Sequence, residues 1–289
     1  MSFLVMDLGG TRLKAGLAQG GAISAATITD VSDASPLDVV AAAGREILSG
    51  ARTEGAGLCV PGLVEGNKLV ALPGKLAGLE GTDIGAFLRD VFETQRVAVT
   101  NDAVAYATGE ATAGAGRDCR RSVVVTIGTG VGVTVIEDGK PATAGMFGAG
   151  ILGGFIPIAD ATPGYADSTG ETDTIEALCA AQRILDYAGE SYGSVREVFE
   201  AHSQNDAARH GVERYRNALA RALVALAHAH APERIILGGG PMREGNPVMP
   251  GLEALVNKRL YGTYRVQVRL AELGDNAALI GLSRLLESR

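Results

Sequence analysis

Tryptophan is absent from the 289 residues, and aromatic side chains make up 4% of the sequence. Hydrophobic residues make up 46% of the chain, so we expect cores built from aliphatic side chains. The sequence lacks an apolar run long enough for a membrane span, and it begins without the charged segment of a secretion signal. These absences predict a soluble protein without a membrane partner.

Cysteine is scarce as well. Cys59, Cys119 and Cys179 lie far apart and form neither a Cys-x-x-Cys pair nor a Cys/His set. Their spacing argues against a disulfide framework and against a zinc knuckle. A reducing, cytoplasmic location fits this cysteine usage best.

The sequence also lacks a long basic cluster. Its 33 acidic residues outnumber its 26 basic residues, and the formal net charge is −7. The short group Arg117, Arg120 and Arg121 is typical of a solvated loop. This charge distribution argues against a nucleic-acid partner.

The first informative motif lies near the start of the chain. Residues 7–11 (Asp-Leu-Gly-Gly-Thr) follow the apolar run 3–6 and precede the alternating residues 12–18. This pattern predicts a strand, a turn and a second strand, with backbone N–H groups at the turn that can hold a phosphate oxygen. Asp7 then serves as a ligand of Mg²⁺ through water. The same pattern is also typical of a hairpin whose Asp binds local N–H groups.

A second copy of this motif favours the phosphate interpretation. Residues 123–127 are apolar, residues 128–132 read Gly-Thr-Gly-Val-Gly, and residues 133–136 form another apolar run. A Rossmann motif is excluded because a strand, not a helix, follows the glycines. We therefore predict two related halves, whose turns face each other across a cleft and clamp a polyphosphate with backbone donors and two threonine hydroxyls.

Hydrophobic periodicity predicts the remaining elements. We expect helices over 36–49, 83–92, 103–112, 173–187, 195–202, 207–229 and 276–288, and strands over 56–60, 97–100 and 234–237. The helix over 103–112 should link the halves, and the glycine-rich residues 114–118 form the boundary. The predicted lobes are residues 1–114, joined by the terminal helix 276–289, and residues 115–275.

Asn101 and Asp102 stand where a predicted strand ends and a helix begins. Asp and Asn are favoured helix N-caps, and capping alone explains most such pairs. Because this pair lies between the two predicted phosphate turns, Asp102 is also a candidate general base. Its carboxylate would take the proton of a hydroxyl that attacks a γ-phosphoryl group.

Three consecutive glycines follow the predicted strand 234–237. Glycine leaves room for a flat ring close to the backbone, so Gly238, Gly239 and Gly240 predict a shelf for adenine and ribose. The alternative is a tight turn between a strand and a helix, for which one or two glycines suffice.

These motifs together resemble the ROK family of bacterial sugar kinases and related repressors, which include glucokinases, N-acetylmannosamine kinases and fructokinases. Residues 7–11 resemble its first phosphate motif, 128–132 its second, 236–240 its adenosine motif and 60–64 its sugar-side Pro-Gly turn. The resemblance spans nearly the whole chain. It implies an α/β, two-lobed, actin-like (ribonuclease H-like) fold with a duplicated mixed sheet and helices on its faces. It also implies that the terminal helix packs on the first lobe.

The resemblance implies a role for each candidate residue. Asp102 is the catalytic base on a sugar hydroxyl, and ATP with Mg²⁺ is the cofactor. The substrate-binding candidates are Asn101, Pro61, Gly62, Lys75 and Glu176. The cofactor-binding candidates are Asp7, Gly9, Gly10, Thr11, Lys14, Gly128, Thr129, Gly130, Gly238, Gly239 and Gly240. For Glu176, an exposed position in the first turns of a helix is an equally good interpretation.

The sequence departs from the family at the sugar side. Family kinases carry Gly-Glu-Ile-Gly-His, whose Glu and His hold sugar hydroxyls and whose His also binds zinc, but residues 150–154 read Gly-Ile-Leu-Gly-Gly. Residues 159–165 replace the cysteine-rich zinc loop, so we predict no structural zinc. Lys75 stands near the position of a sugar-binding Asn and would favour an anionic or oxidised sugar, although a solvated lysine is the more common role.

Two functions remain open. The first is an ATP-dependent kinase of a hexose or hexose derivative, with ATP or polyphosphate as donor. The second is a non-catalytic nucleotide or sugar sensor, because two polar sugar contacts are missing. A DNA-binding repressor is not expected, since only six residues precede Asp7. The resemblance further implies a homodimer.

Overall fold

The structure is a computed structural model that describes residues 2–31, 35–71, 76–143, 147–148, 150–158, 165–189 and 191–288. The chain forms two compact units. The first comprises Met1–Arg117, Thr143–Phe147 and Asp275–Arg289, and the second comprises Asp118–Ala142 and Gly148–Gly274. Within the described ranges, no helix combines the length and the apolar character that a bilayer span requires.

The first unit is built on a mixed sheet. Its strands are β1 (Ser2–Leu8), β2 (Arg12–Gln19), β3 (Ala22–Asp30), β4 (Gly55–Val60) and β7 (Val97–Asn101), and β5 (Leu63–Glu65) and β6 (Lys68–Ala71) form a separate hairpin. The sheet order is β3-β2-β1-β4-β7. β2 runs antiparallel to β1 and β3, whereas β4 runs parallel to β1 and β7. The carboxyl ends of β1, β4 and β7 therefore meet at one edge of the sheet.

Helices cover both faces of this sheet. They are α1 (Pro36–Leu48), α2 (Ile84–Phe92), α3 (Asp102–Ala113) and α9 (Ala277–Glu287). Side chains alternate along β1, so Leu4 and Met6 join a core that includes residues of α1 and α2. Phe3 and Val5 join the opposite core, which includes residues of α9. Asp7 continues this second alternation, so its carboxylate belongs to the face that α9 covers.

Two glycines let α3 and α9 pack closely. A Cβ atom on Gly281 would lie 2.8 Å from the carbonyl carbon of Ala105 and 2.8 Å from the amide nitrogen of Gly109. A Cβ atom on Gly109 would lie 2.9 Å from the carbonyl carbon of Ala277. No side chain fits at either position, so the helix backbones touch. The terminal helix thus packs within the first unit.

The second unit repeats the sheet. Its strands are β8 (Arg121–Ile127), β9 (Val131–Glu137), β10 (Lys140–Pro141), β11 (Arg234–Gly238) and β12 (Gln267–Leu270). The order is β10-β9-β8-β11-β12, with antiparallel pairing of β8, β9 and β10 and parallel pairing of β8, β11 and β12. Each strand has a counterpart in the first sheet, so the predicted duplication is confirmed.

The second unit carries the remaining helices. They are α4 (Ile175–Cys179), α5 (Gln182–Ala188), α6 (Val195–Ala201), α7 (Asp206–His230) and α8 (Leu252–Asn257). The buried residues of α4, α7 and α8 share a core with the apolar side chains of β8 and β11. This core is aliphatic apart from a few rings, of which Tyr215 is fully buried.

One predicted helix is wrong. The single helix over 173–187 is two helices, α4 and α5, because Ala180 between them has an extended backbone with ψ 153°. The break allows the N–H group of Ala181 to donate a hydrogen bond to the Gly128 carbonyl at 2.9 Å. Alanine favours helix, so the sequence gives no signal for this break.

Candidate functional site

The turn between β1 and β2 presents backbone donors. The N–H group of Gly9 donates to the Arg12 carbonyl at 2.8 Å, and the N–H group of Val31 donates to the Thr11 carbonyl at 3.0 Å. Among the residues that the structure describes, no acceptor binds the N–H groups of Gly10 and Thr11, and both residues are exposed. These two donors are therefore available to an anion.

Asp7 lies at the carboxyl end of β1, beside this turn. It is paired in register with Lys14 on β2 and with Cys59 on β4. The Cys59 thiol donates a hydrogen bond to Asp7 Oδ1 at 3.3 Å. Sequence reasoning did not connect Cys59 to the site, because a pairing between β1 and β4 depends on strand order rather than on a motif.

Lys14 is held inside the first unit. Its ammonium group donates to the Asp275 carbonyl at 2.7 Å and to Asn276 Oδ1 at 2.9 Å. Both acceptors precede α9, so Lys14 ties β2 to the start of the terminal helix. The sequence predicts a cofactor contact for Lys14, and this contact would require the ammonium group to exchange or share these partners.

The carboxyl group of Asp102 shares an electrostatic cluster with Asp7 and Cys59. Burial and, secondarily, the negative charge of Asp7 together raise the pKa of Asp102 to about 6. Burial also raises the pKa of Asp7, while the Cys59 hydrogen bond and the charge of Lys14 lower it. The Cys59 pKa is raised well above its usual range by burial and by both carboxylates, so the thiol stays protonated.

Asn101 is the N-cap of α3. Its Oδ1 accepts hydrogen bonds from the N–H groups of Ala103 at 2.8 Å and Val104 at 3.3 Å. Its Nδ2 group donates to the Gly62 carbonyl at 2.7 Å. The capping interpretation is therefore correct for Asn101, which also fixes the turn after β4, where Gly62 has a φ of 95° and follows Pro61.

Asp102 is the first residue of α3 and is not its cap. Its Oδ1 accepts a hydrogen bond from the Ala103 N–H group at 2.8 Å. In the part of the chain that the structure describes, Oδ2 accepts no hydrogen bond from another residue. One oxygen of a carboxylate with a raised pKa thus remains available to a proton donor.

Three residues separate β8 from β9, just as three residues separate β1 from β2. Gly128 N–H donates to the Gly130 carbonyl at 2.9 Å. The Val131 N–H group donates to Glu176 Oε2 at 3.0 Å, so a carboxylate occupies one donor of this turn. Within the described ranges, the N–H groups of Thr129 and Gly130 bind no acceptor and remain available.

Glu176 is partly buried, so its interpretation as an exposed residue is wrong. Its second oxygen, Oε1, accepts hydrogen bonds from the Ser168 N–H group at 3.0 Å and from the Ser168 hydroxyl at 2.9 Å. The carboxylate therefore bridges the loop before α4 and the second turn. The sequence gives no signal for Ser168, which approaches Glu176 through the path of the loop.

The three glycines after β11 have different surroundings. Gly238 ends the strand and pairs with Thr126. Gly239 has a φ of 97°, and a Cβ atom there would lie 2.8 Å from the carbonyl carbon of Ile127. A Cβ atom on Gly240 would meet nothing within 4 Å. The backbone turn thus requires glycine at position 239, whereas position 240 is surrounded by open space, and no helix follows directly.

Two glycines restrict which side chains fit in residues 150–154, the segment that replaces the family's sugar motif. A Cβ atom on Gly153 would lie 2.8 Å from the Val133 side chain, and one on Gly154 would lie 2.5 Å from the Val131 carbonyl oxygen. A histidine therefore does not fit at position 154 with this backbone. Leu152 is 48% exposed. Lys75 lies outside the described residues.

A structural zinc does not fit the side chains present. Residues 150–178 contain neither cysteine nor histidine, and Cys179 is buried in the core of the second unit. Among the described residues, no group of three or more His, Cys, Asp or Glu side chains is arranged to hold a metal ion. Zinc coordination by Cys and His, as in the family motif, therefore has no ligands here.

The repeated five-stranded sheet, with a glycine-rich turn after the first strand of each copy, defines the actin-like, ribonuclease H-like class of α/β proteins. The model of the ROK family matches residues 4–289, so the chain belongs to the ROK family. The predicted fold class and family are both confirmed.

Curated sequence relatives include sugar kinases. The chain is 30% identical to a glucokinase of Halalkalibacterium halodurans over 217 residues, which cover 67% of this chain and 65% of that protein. It is 28% identical to an N-acetylmannosamine kinase of Escherichia coli O139:H28 over 302 residues, which cover 99% of each. Both of these relatives are sugar kinases.

The fold is that of a solved ROK glucokinase. The structure of the Streptomyces griseus enzyme in complex with glucose and AMPPNP superimposes with a TM-score of 0.84. The match covers all of both chains at 23% sequence identity. This likeness establishes the fold over the whole chain.

Proposed function

We propose that the protein is an ATP-dependent kinase that phosphorylates a hydroxyl group of a hexose or hexose derivative, with Asp102 as general base. The observation that carries this proposal is the state of Asp102. Its pKa is raised to about 6, and Oδ2 binds no other residue within the described ranges. A base with a pKa just below neutral is ionised at pH 7 and still accepts a proton well.

The position of Asp102 supports the reaction. The residue begins α3, whose N-terminal N–H groups favour a negative charge, while burial and Asp7 oppose it. Asp102 then orients the sugar hydroxyl and takes its proton as the oxygen attacks the γ-phosphoryl group. Asn101 holds the Gly62 carbonyl, so the turn after β4 is fixed beside the base.

The nucleotide side of the proposal rests on the turns. Gly10 and Thr11 in the first unit, and Thr129 and Gly130 in the second, offer backbone donors to phosphate oxygens. Gly240 offers open space for an adenosine group. The AMPPNP complex of the Streptomyces griseus glucokinase supports ATP as the donor.

A magnesium ion fits the donor set at Asp7. A single carboxylate, held by the Cys59 thiol at 3.3 Å, suits Mg²⁺ that keeps most of its water ligands. When bound, Mg²⁺ supplies charge neutralisation on the phosphate oxygens. The chain's own contribution is to hold the Asp7 carboxylate beside the first turn.

The candidates for sugar binding are Asn101, Pro61, Gly62, Lys75 and Glu176. The absence of Glu and His from residues 150–154 favours a second function, a nucleotide or sugar sensor without turnover. Loss of two hydrogen-bonding groups weakens sugar binding by several kcal/mol at about 1–3 kcal/mol for each group. We retain the kinase as the main proposal because Asp102 is present with a raised pKa.

The experiment that tests this proposal measures ADP release from purified protein with ATP and Mg²⁺. The panel contains hexoses, amino sugars and sugar acids, and a parallel series replaces ATP with polyphosphate. Turnover on one sugar confirms the kinase and identifies its substrate. Silence across the panel, with ATP binding retained in a calorimetric titration, rejects the kinase and supports the sensor.

A further inference from the structure

Tyr165, in the described part of the loop that precedes α4, belongs to a stack of aromatic and arginine side chains. The rings of Tyr165 and Tyr187 meet edge to face, with centroids 5.6 Å apart and an interplanar angle of 82°. Arg183 Cζ lies 4.6 Å from the centroid of the Tyr165 ring, and Arg214 Cζ lies 4.5 Å from that of Tyr187. We name these four residues the Tyr–Arg stack.

The Tyr–Arg stack is anchored to the helices beneath it. Arg183 and Asp186 form an ion pair at 3.0 Å, and their side chains are only 16% and 26% exposed. The Tyr187 hydroxyl donates to the Leu178 carbonyl at 3.1 Å, and burial raises the pKa of Tyr187 to about 12, so this donor stays protonated. Tyr165 is thus the member that belongs to the loop, while the other three belong to α5 and α7.

Asp167, two residues after Tyr165, organises the loop itself. Its Oδ1 accepts from the N–H group of Thr169 at 2.8 Å and from that of Glu171 at 3.1 Å. Its Oδ2 accepts from the Thr174 hydroxyl at 2.7 Å. Thr174 in turn caps α4 by accepting from the Ala177 N–H group at 3.2 Å. The loop is therefore closed on the first turn of α4.

A continuous set of contacts leads from the stack to the second phosphate turn. Ser168, in the closed loop, donates twice to Glu176, and Glu176 accepts from the Val131 N–H group that follows the turn. We infer that the Tyr–Arg stack fixes this loop in place of the zinc site of the family motif. By fixing the loop, the stack holds Glu176 on the second phosphate turn. The kinetic consequence of this inference rests on the proposed function, whereas the fixing of the loop by the stack does not.

A zinc site and the Tyr–Arg stack would fix the loop by different chemistry. A zinc site would hold the loop through thiolate and imidazole ligands, which residues 150–178 do not contain. The stack uses one aromatic pair and two cation–π contacts. Each contact is weaker than a metal–ligand bond, but none of them depends on a metal or on the oxidation state of a thiol. Tyr165, Arg183 and Glu176 are positioning residues in this account, since they act through the loop and the turn.

The test is hydrogen exchange of peptides covering residues 165–178, measured by mass spectrometry on the full chain. In wild type, 1,10-phenanthroline should leave the exchange rates unchanged. Tyr165→Ala removes one ring pair and one cation–π contact, so exchange should become about tenfold faster. Tyr165→Phe keeps the ring and should stay within about twofold of wild type.

Two further variants complete the design. Arg183→Met keeps the length of the side chain without its charge and should also speed exchange. Tyr261→Ala removes a ring that is 87% exposed in the same unit and lies outside the stack, so it should change nothing. Exchange that is unaffected in both Tyr165→Ala and Arg183→Met, or exchange that the chelator accelerates in wild type, overturns the inference.

A kinetic measurement separates this inference from the proposed function. If a sugar substrate is found, Tyr165→Ala should raise the KM for that sugar several-fold, and Tyr165→Phe should restore it. A fall in kcat alone, with an unchanged KM, contradicts the positioning role. Because the exchange experiment needs no turnover, it tests whether the stack fixes the loop even if the chain proves not to be a kinase.

Discussion

The contact between α3 and α9 provides the sharpest test of how the first unit is packed. Gly281→Ala adds one methyl group at a point where the Ala105 carbonyl carbon and the Gly109 amide nitrogen both lie 2.8 Å from the new Cβ atom. An ordinary contact of this kind is at least 3.4 Å, so the helices must separate by at least about 0.6 Å. Both neighbours are backbone atoms, so no side chain can rotate away.

The expected cost follows from two opposing effects. Overpacking of a tight core costs about 1–3 kcal/mol and sometimes more, and a backbone clash belongs at the upper end of that range. Replacing glycine with alanine inside a helix otherwise stabilises it by about 1 kcal/mol. We therefore expect Gly281→Ala to lower the free energy of unfolding by about 2 kcal/mol. Since α3 begins with Asp102, kcat should fall as well.

Urea denaturation followed by circular dichroism measures this change. Gly78→Ala is the matched control, because a Cβ atom there would meet nothing within 4 Å. Its free energy of unfolding should stay within about 0.5 kcal/mol of wild type. If Gly281→Ala is as stable as wild type or more stable, the close packing of α3 on α9 is wrong.

Four other predictions address the site. The value of kcat/KM should fall as the pH drops through about 6, because Asp102 then gains a proton, and a profile that is flat between about pH 5 and 8 contradicts its role. The raised pKa also means that ionised Asp102 lowers stability at neutral pH, so Asp102→Asn should raise the free energy of unfolding at pH 7 and lose this advantage below about pH 4 in urea titrations. Gly239→Ala should lower the melting temperature, because its φ is 97° and Ile127 backbone atoms lie 2.8–2.9 Å from the new Cβ atom, whereas Gly240→Ala should not; equal melting temperatures would contradict the geometry. Gly154→His, which restores a family residue, should cost about 1–3 kcal/mol in urea denaturation because its Cβ atom would lie 2.5 Å from a backbone oxygen of β9, and a stable variant would contradict this packing.

The turns and the repeated halves were predictable from the sequence. Residues 7–11 and 128–132 combine glycine with strands on both sides, and this local pattern alone indicates the hairpins. The strand orders of the two sheets correspond to each other, as two related halves require. Strong local signals therefore predicted the duplicated fold.

Elements with weak apolar periodicity were missed. β3 (Ala22–Asp30) is an edge strand, and most of its side chains are exposed or only partly buried, so its sequence lacks a hydrophobic alternation. The short β5, β6, β12 and α8 have too few residues for a period to emerge. Their positions depend on tertiary contacts rather than on local preference.

Contacts within the candidate site depend on strand order. Cys59 binds Asp7 because β4 runs parallel to β1 in register, and no spacing in the sequence encodes that neighbour. Glu176 binds the Val131 N–H group because the loop before α4 closes on the second turn. In both cases the residues that join are far apart in the chain, and only the fold brings them together.

The measurement that tests the central claim most directly compares wild type with Asp102→Asn under saturating ATP and sugar. The change replaces one oxygen with nitrogen, which keeps the shape of the side chain but cannot accept the proton. We expect kcat to fall by at least about 100-fold, in the range for loss of a general base, while the dissociation constant for ATP stays nearly unchanged. Phosphoryl transfer at the wild-type rate in Asp102→Asn would contradict the assignment of the base.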